Sequence, residues 1–264
     1  MPGEVPTNAG LLDCVTLLTR PGSLCEPRFP AAVAGGNVET SQRLVDLCFE
    51  ALGRAGAEVP AESAGTMNNL SLGGYDDRRG EAFAFYETLG GGAGASAEAA
   101  GASGIQTHMT NTRNTPIEEC RLSMPLVVER LALRPGTGGA GRHAGGDGLV
   151  KELSSPVRLS VSLLAERRRH GPAGRAGGLP GAPGDQALLH PDRDEPLPAK
   201  GAFVLEPGQR LRIETPGGGG FGPRVRDRLV IDRGSGVPGN ARPEPVRTSG
   251  RFGPRTWYVP VLVV

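Results

Sequence analysis

Glycine is the feature that most limits what this chain can become. Its glycines gather into dense stretches at 90–94, 136–148, 171–184 and 217–220. Together, 42 glycines and 24 prolines make up a quarter of the 264 residues. That fraction reaches the range where disorder becomes a live reading. The stretches, however, sit between segments with clear apolar patterning, which points to a loop-rich globular protein. Aromatic residues make up only 4% of the chain, so a core must be built mainly from Val, Leu, Ile and Ala.

Between the glycine stretches, the patterning predicts a mixed α/β (α+β) fold that is β-rich and loop-rich. An α+β part spans about 10–122 and a mostly β part follows to about 222. Segments 11–19, 82–89 and 126–134 read as strands, and 65–74 reads as a loop with a short strand. Further strands are expected at 148–153, 157–165, 202–206 and 210–215. The last two flank Pro207-Gly208 and so suggest a hairpin. The clearest helix starts near Asn37, with Asn37, Thr40 and Ser41 as possible caps. Leu44, Val45, Leu47, Cys48 and Leu52 follow at helical spacing, with Arg43, Asp46 and Glu50 mostly off that stripe, and Gly53 and Gly56 supply the stop. A short second helix is expected from Thr115 as cap, Pro116 in its first position and Glu118 as capping-box partner, ending before Pro125. The segment 223–264 changes to Arg, Pro and Gly with little periodicity. It is expected to be poorly ordered, unrelated to what precedes it, or attached by one terminal strand.

Charge and cysteines exclude several classes. With 29 basic and 28 acidic residues, no global field favours nucleic acid or a membrane surface. Apolar runs fall short of a membrane span, and the N-terminus does not read as a secretory signal. Cys14, Cys25, Cys48 and Cys120 lack CxxC or paired-His spacing, which argues against zinc and for reduced thiols in a cytoplasmic protein. Arg167-Arg168-Arg169 reads as a solvated strand end, since no aromatic residues interleave it.

The densest polar cluster is 108–118. There His108, Thr110, Asn111 and Asn114 precede a helix start and could bind an anion or a polarised carbonyl, or could simply satisfy their own loop. Glu87 ends a strand beside a glycine loop, a place that suits a catalytic acid or base and equally a solvated glutamate. Asn68 and Asn69 could hydrogen-bond a substrate amide or hold a turn. His108 and His143 stand apart in sequence, so no metal site is assigned. Gly90 to Gly94 lacks the Lys-Ser/Thr ending of a P-loop and reads as a flexible turn.

Seven segments, in order, resemble the hydantoinase B family, which includes the C-terminal part of 5-oxoprolinase and one acetone carboxylase subunit. They are 28–46 (RFPAAVAGGNVETSQRLVD), 65–74 (GTMNNLSLGG), 86–94 (YETLGGGAG) and 107–116 (THMTNTRNTP), followed by 136–148, 166–184 and 207–222. The resemblance covers roughly residues 10–222. It implies a subunit of an ATP-dependent cyclic-amide hydrolase acting on a lactam or imide ring. ATP and Mg would be held by a hydantoinase A-type partner in a hetero-oligomer, and a divalent metal by an N-terminal half. The short Asn-Asp-Pro and His-Leu-Pro-Asp motifs of that half are not found here, so the chain is expected to be a truncated C-terminal portion, inactive by itself. Within this resemblance, Glu87 is the candidate base with His108 as a second catalytic group. Asn68, Asn69, Thr110, Asn111 and Asn114 are candidate substrate donors. An acetone-carboxylase-type subunit and a non-catalytic assembly module are the alternatives.

Overall fold

The computed structural model describes residues 16–224. The chain divides into two compact units, one of residues 34–229 and one formed by the chain ends. Of the latter, residues 16–33 are described. They hold a turn with Gly22 at φ +83° and an isolated bridge between Ser23 and Glu26, and no strand over 16–19. The rest of the expected first strand and the tail from 225 onward lie outside the described residues.

Two antiparallel sheets build the larger unit. The first runs β2 (Glu81–Glu87), β1 (Asn69–Asp76), β5 (Leu159–Leu164), β8 (Lys200–Leu205). The second runs β3 (Val127–Arg134), β4 (Gly148–Ser154), β9 (Arg210–Glu214), β6 (Asp185–Leu189), β7 (Asp194–Pro196). Period-two alternation decides which side chains go inside. In β5, Leu159, Val161 and Leu163 are buried while Ser160 and Ser162 face out. These residues join Leu70, Leu72 and Phe85 from the first sheet, and Leu153, Leu188, Leu211 and Ile213 from the second, in one core. The fold is thus mixed α/β with strands predominating, as the patterning predicts. The two helices among the described residues are α1 (Ser41–Arg54) and α2 (Ile117–Ser123).

Three expectations fail, each for a physical reason. The strands flanking Pro207-Gly208 do not form a hairpin: β8 pairs with β5, and β9 pairs with β4 and β6. The turn is real, with Gly208 at φ +87°, but it carries the chain from one sheet to the other. The first helix enters through a π-helical turn at Gly36–Thr40 without a side-chain cap, and the second has Pro116 at its cap position with no capping bond. Finally, the apolar stripe of α1 is not its packing face. Leu47 and Leu52 are 51% and 46% exposed, while Gln42 and Asp46 are buried.

The glycine stretches are the largest surprise, because they are packed. The Gly217 amide donates to the Ala182 carbonyl and that of Gly220 to Leu179, at 3.1 and 2.9 Å. Gly218 donates to Gly146 and Phe221 to His143, both at 2.8 Å, and Gly219 to Glu62, also at 2.8 Å. Amides three apart, at 217 and 220 and at 218 and 221, therefore return to the same neighbouring stretch, while Gly219 and Gly222 donate to Glu62 and Arg175. This is the repeat of an extended, threefold helix, whose neighbours must supply the hydrogen bonds it cannot make internally. Such close approach excludes side chains: a Cβ on Gly218 would lie 1.9 Å from the Ala93 carbonyl oxygen, and one on Gly146 1.9 Å from that of Ala102. Gly90 to Gly94 and residues 215–222 are interior to this lattice, except for half-buried Ala93 and Gly94 at its margin.

Candidate functional site

The inward face of α1 and of the turn before it carries Glu39, Gln42, Arg43 and Asp46, one helical stripe of polar side chains. Asp46 is its hub. It accepts from His108 Nε2 at 3.0 Å, from Arg167 Nη2 at 3.1 Å, and from Arg43. Arg167 also donates to Glu62 at 2.7 Å. Beside this hub, Glu39 Oε1 accepts from the Met67 amide at 3.0 Å and from Asn69 Nδ2 at 2.7 Å, and Tyr86 donates to Asn69 Oδ1 at 2.5 Å. Gly65 lets the 65–69 segment approach, since a Cβ there would sit 1.6 Å from Arg43 Nη2. The network thus draws on α1, the start of β1, β2, the 107–116 loop and the segment after β5.

Backbone strain concentrates in the same place. Four non-glycine residues occupy the left-handed region among the described residues, and Asn68, His108 and Arg167 are three of them, at φ 46°, 58° and 59°. Such conformations persist only where the surroundings over-determine them, and they cluster at functional sites. Electrostatics are equally unusual. Burial pushes the Glu39 carboxyl up to about 7, against the pull of the Thr66 hydroxyl and the Met67 amide; Glu166 adds to the rise and Arg43 opposes it. Burial also lowers Arg43, against the attraction of Asp46. Gln42 is 1% exposed, and among the described residues neither of its amide atoms has a partner, nor does Arg43 Nε or Arg167 Nε. Orphaned polar atoms in this number mark a cluster not organised for stability alone.

A second cluster lies where β2 meets the core. Phe83, Phe85 and Glu87 share a face by period two, so Glu87 points inward and is 2% exposed. Lys151, also 2% exposed, pairs with its Oε2, and Asn114 donates to its Oε1. Asn114 also donates to the Thr88 carbonyl at 2.8 Å, and Gln106 Nε2 to the Thr88 hydroxyl at 3.1 Å. The end of β2 therefore clamps the 106–114 loop at both ends, leaving Asn111 exposed between them and Thr110 half-buried against Thr112.

The sequence-predicted residues thus divide. His108 and Asn69 belong to the network of the α1 face, Glu87 and Asn114 belong to the loop clamp, and Thr110 and Asn111 join neither. Asn68 donates to the Leu89 carbonyl at 3.0 Å and accepts from Arg168 at 2.9 Å. His143 serves the glycine lattice through its backbone. Arg167 and Arg168 are not the solvated strand end expected of them: both are held by buried partners. Sequence reasoning passed over Glu39, Gln42, Asp46 and Lys151, although 39, 42, 43 and 46 share helical spacing and Lys151 alternates with Leu149 and Leu153.

Among the described residues, no group of three or more His, Cys, Asp or Glu could hold a metal ion. Asp46 and His108 instead share their site with two guanidinium groups, which does not suit a cation. The glycine stretch 90–94 does not fit a nucleotide phosphate either. The amides of Gly91, Gly92, Ala93 and Gly94 already donate to Ile105, Pro216, Ala102 and Ser63.

Comparison with known proteins bears on the family and the fold. Residues 1–224 match the family model described as hydantoinase B/oxoprolinase. The chain is 43% identical over 223 residues to 5-oxoprolinase 1 of Arabidopsis thaliana, covering 84% of this chain and 17% of that protein. It therefore spans less than a fifth of that relative's length. The fold is shared with the ATP-dependent caprolactamase of Pseudomonas jessenii at a TM-score of 0.68 and 23% identity, over 88% of this chain and 43% of that one. It is shared more distantly with a nucleotide-free acetone carboxylase at a TM-score of 0.55 and 20% identity, over 69% of this chain and 29% of that one. No helix among the described residues is long and apolar enough to cross a membrane. The chain belongs to the hydantoinase B/oxoprolinase family.

Proposed function

We propose that this chain is the C-terminal portion of the B-type component of an ATP-dependent cyclic-amide hydrolase that opens 5-oxoproline or a related lactam. The observation that carries the reading is the 43% identity to a 5-oxoprolinase over 84% of the chain. ATP and Mg would be held by a hydantoinase A-type partner, consistent with the committed glycine amides here.

An unstrained amide resists water until its carbonyl carbon is made electrophilic. Phosphorylation of the carbonyl oxygen, supplied by the partner, does this. Water adds to that carbon, the ring C–N bond breaks as the nitrogen takes a proton, and hydrolysis of the resulting acyl phosphate releases phosphate. Within this scheme His108 is the group suited to proton transfer. Asp46 fixes one ring nitrogen, the ring tilts against Phe49 at 6.1 Å between centroids, and Nδ1 has no hydrogen-bond partner among the described residues. Glu87, walled in by Lys151 and Asn114, holds the loop that carries His108. Thr110 and Asn111 remain the candidate substrate donors, whereas Asn69 has its amide hydrogens committed to Glu39 and the Leu164 carbonyl.

The test is ADP release by the chain reconstituted with a hydantoinase A-type subunit and the remaining B-type sequence. 5-Oxoproline, hydantoin, caprolactam, and acetone with bicarbonate are offered in turn. ADP release with a lactam, together with the ring-opened amino acid, is the expected result. Turnover with acetone and bicarbonate alone would instead place the chain in the carboxylase branch, favoured at present only by the shared fold. Full turnover after His108→Gln, Glu87→Gln and Asn111→Ala would make it a non-catalytic assembly module.

A further inference from the structure

A cleft of about 460 Å³ opens beside the network, lined by Arg43, Glu166, Arg167, Arg168, Arg169 and Lys200 among others. Its cations are unequally matched. Arg43 and Arg167 are paired with Asp46 and Glu62, and Lys200 with Glu166. Arg168 is different. Its guanidinium is held by three neutral acceptors, Gln186 Oε1 at 2.5 Å, the Glu166 carbonyl at 2.8 Å and Asn68 Oδ1 at 2.9 Å. Among the described residues neither Arg168 nor Arg169 has a carboxylate within 4.0 Å. Glu39 and Asp185 act on Arg168 only from farther away.

Guanidinium groups out of water are ordinarily paired with anions, because desolvating an unpaired charge is costly. Here burial lowers Arg168 to about 10, the mark of a cation short of a counter-charge. The fold nevertheless makes room for it: a Cβ on Gly184 would lie 2.4 Å from Arg168 Nη1. Gln186, 2% exposed, holds it from one side, and Asn68, kept in the left-handed region, from the other. Three of the five guanidinium N–H groups are used, leaving two on a fork whose orientation is fixed. Among the described residues the Nε atoms of Arg43 and Arg167 are also buried without a partner, as is Glu39 Oε2.

We infer that this cleft is an oxyanion-binding site, in which Arg168 is the fixed anchor and Arg169 supplies the surrounding positive field. A carboxylate of a small molecule and a phosphate present the same planar or tetrahedral oxygens to a guanidinium fork, and either supplies the missing counter-charge. The site stands apart from the reaction proposed above: a chain that turns over no lactam would still bind the anion.

The experiment is titration calorimetry on the full chain with inorganic phosphate, 5-oxoproline and the uncharged ring 2-pyrrolidinone. One of the two anions binds with a Kd below about 10 mM and the neutral ring does not. Tighter phosphate identifies a phosphate site, and tighter 5-oxoproline a carboxylate site. Arg168→Gln weakens that binding about 10- to 100-fold. Arg169→Gln, an exposed change that leaves folding intact, weakens it about threefold, with the difference shrinking at high salt. Failure of both anions to bind overturns the site, as does equal binding of 2-pyrrolidinone or an unchanged Kd in Arg169→Gln.

Discussion

The Glu87–Lys151 pair offers the sharpest separation between a residue that serves chemistry and one that serves architecture. Both side chains are 2% exposed, and Glu87 also receives Asn114. Changing Lys151→Met leaves a carboxylate buried without its cation, and Glu87→Gln leaves an ammonium buried without its anion. Breaking a buried pair from one side costs about 3–5 kcal/mol, whereas replacing both members together is often close to neutral. We therefore expect each single variant to lose about 3 kcal/mol or more in urea unfolding of the full chain, and the double variant to recover most of that loss. For a unit of this size the corresponding fall in melting temperature is about 10 °C. The coupling in the cycle, the two single losses less the double, is then about 5 kcal/mol, far above the scatter between independent sites. Single losses below about 1 kcal/mol, or losses that simply add in the double variant, would refute the reasoning. So would a Glu87→Gln protein with wild-type stability and no turnover, because Glu87 would then be meeting substrate rather than holding the loop.

Other expectations follow from the same geometry. Gly218→Ala forces a methyl group against the Ala93 carbonyl and should cost about 3 kcal/mol or more in chemical unfolding, whereas Gly136→Ala, with open space but φ +79°, should cost about 1–2 kcal/mol. Glu39, raised to about 7 from 4.5, binds more protons folded than unfolded between those values, so its contribution is present below about pH 4.5 and lost as pH climbs through 7. Glu39→Gln should match the wild type at pH 4 and exceed its stability at pH 8 by up to about 3 kcal/mol, read from unfolding curves at both pH values. His108→Gln in the complete complex should lower kcat by about 10²-fold or more while the isolated chain unfolds at nearly the same urea concentration.

Strands such as β5 were legible because their alternation is local: Leu159, Val161 and Leu163 announce a buried face whatever surrounds them, whereas the short β6 and β7 were not read from the sequence. The hairpin was misread because Pro207-Gly208 makes the same turn whether its flanking strands pair or part. The α1 face was misread for the opposite reason. Its leucines look like a packing stripe, but the partners that make Asp46 the buried residue, His108 and Arg167, are 62 and 121 positions away in the chain. Glu87 could be picked out by residue type and place, but its inward direction, on the face it shares with Phe83 and Phe85, was left open. Its partner Lys151 was hidden because a lysine in a strand is ordinarily taken to face solvent. The glycine stretches gave no warning, since packing made wholly of main chain leaves no side-chain pattern to read.

That main-chain lattice has a thermodynamic consequence. A core of leucines releases apolar surface on melting and raises the heat capacity, whereas exposing peptide groups lowers it. The stretches around Gly92, Gly146 and Gly218 bury peptide against peptide, so this protein should unfold with a smaller heat-capacity change than its chain length suggests. Its stability curve should be correspondingly flat. Amide hydrogens at 217–222, in a segment that is neither helix nor sheet, should be among the slowest to exchange with solvent.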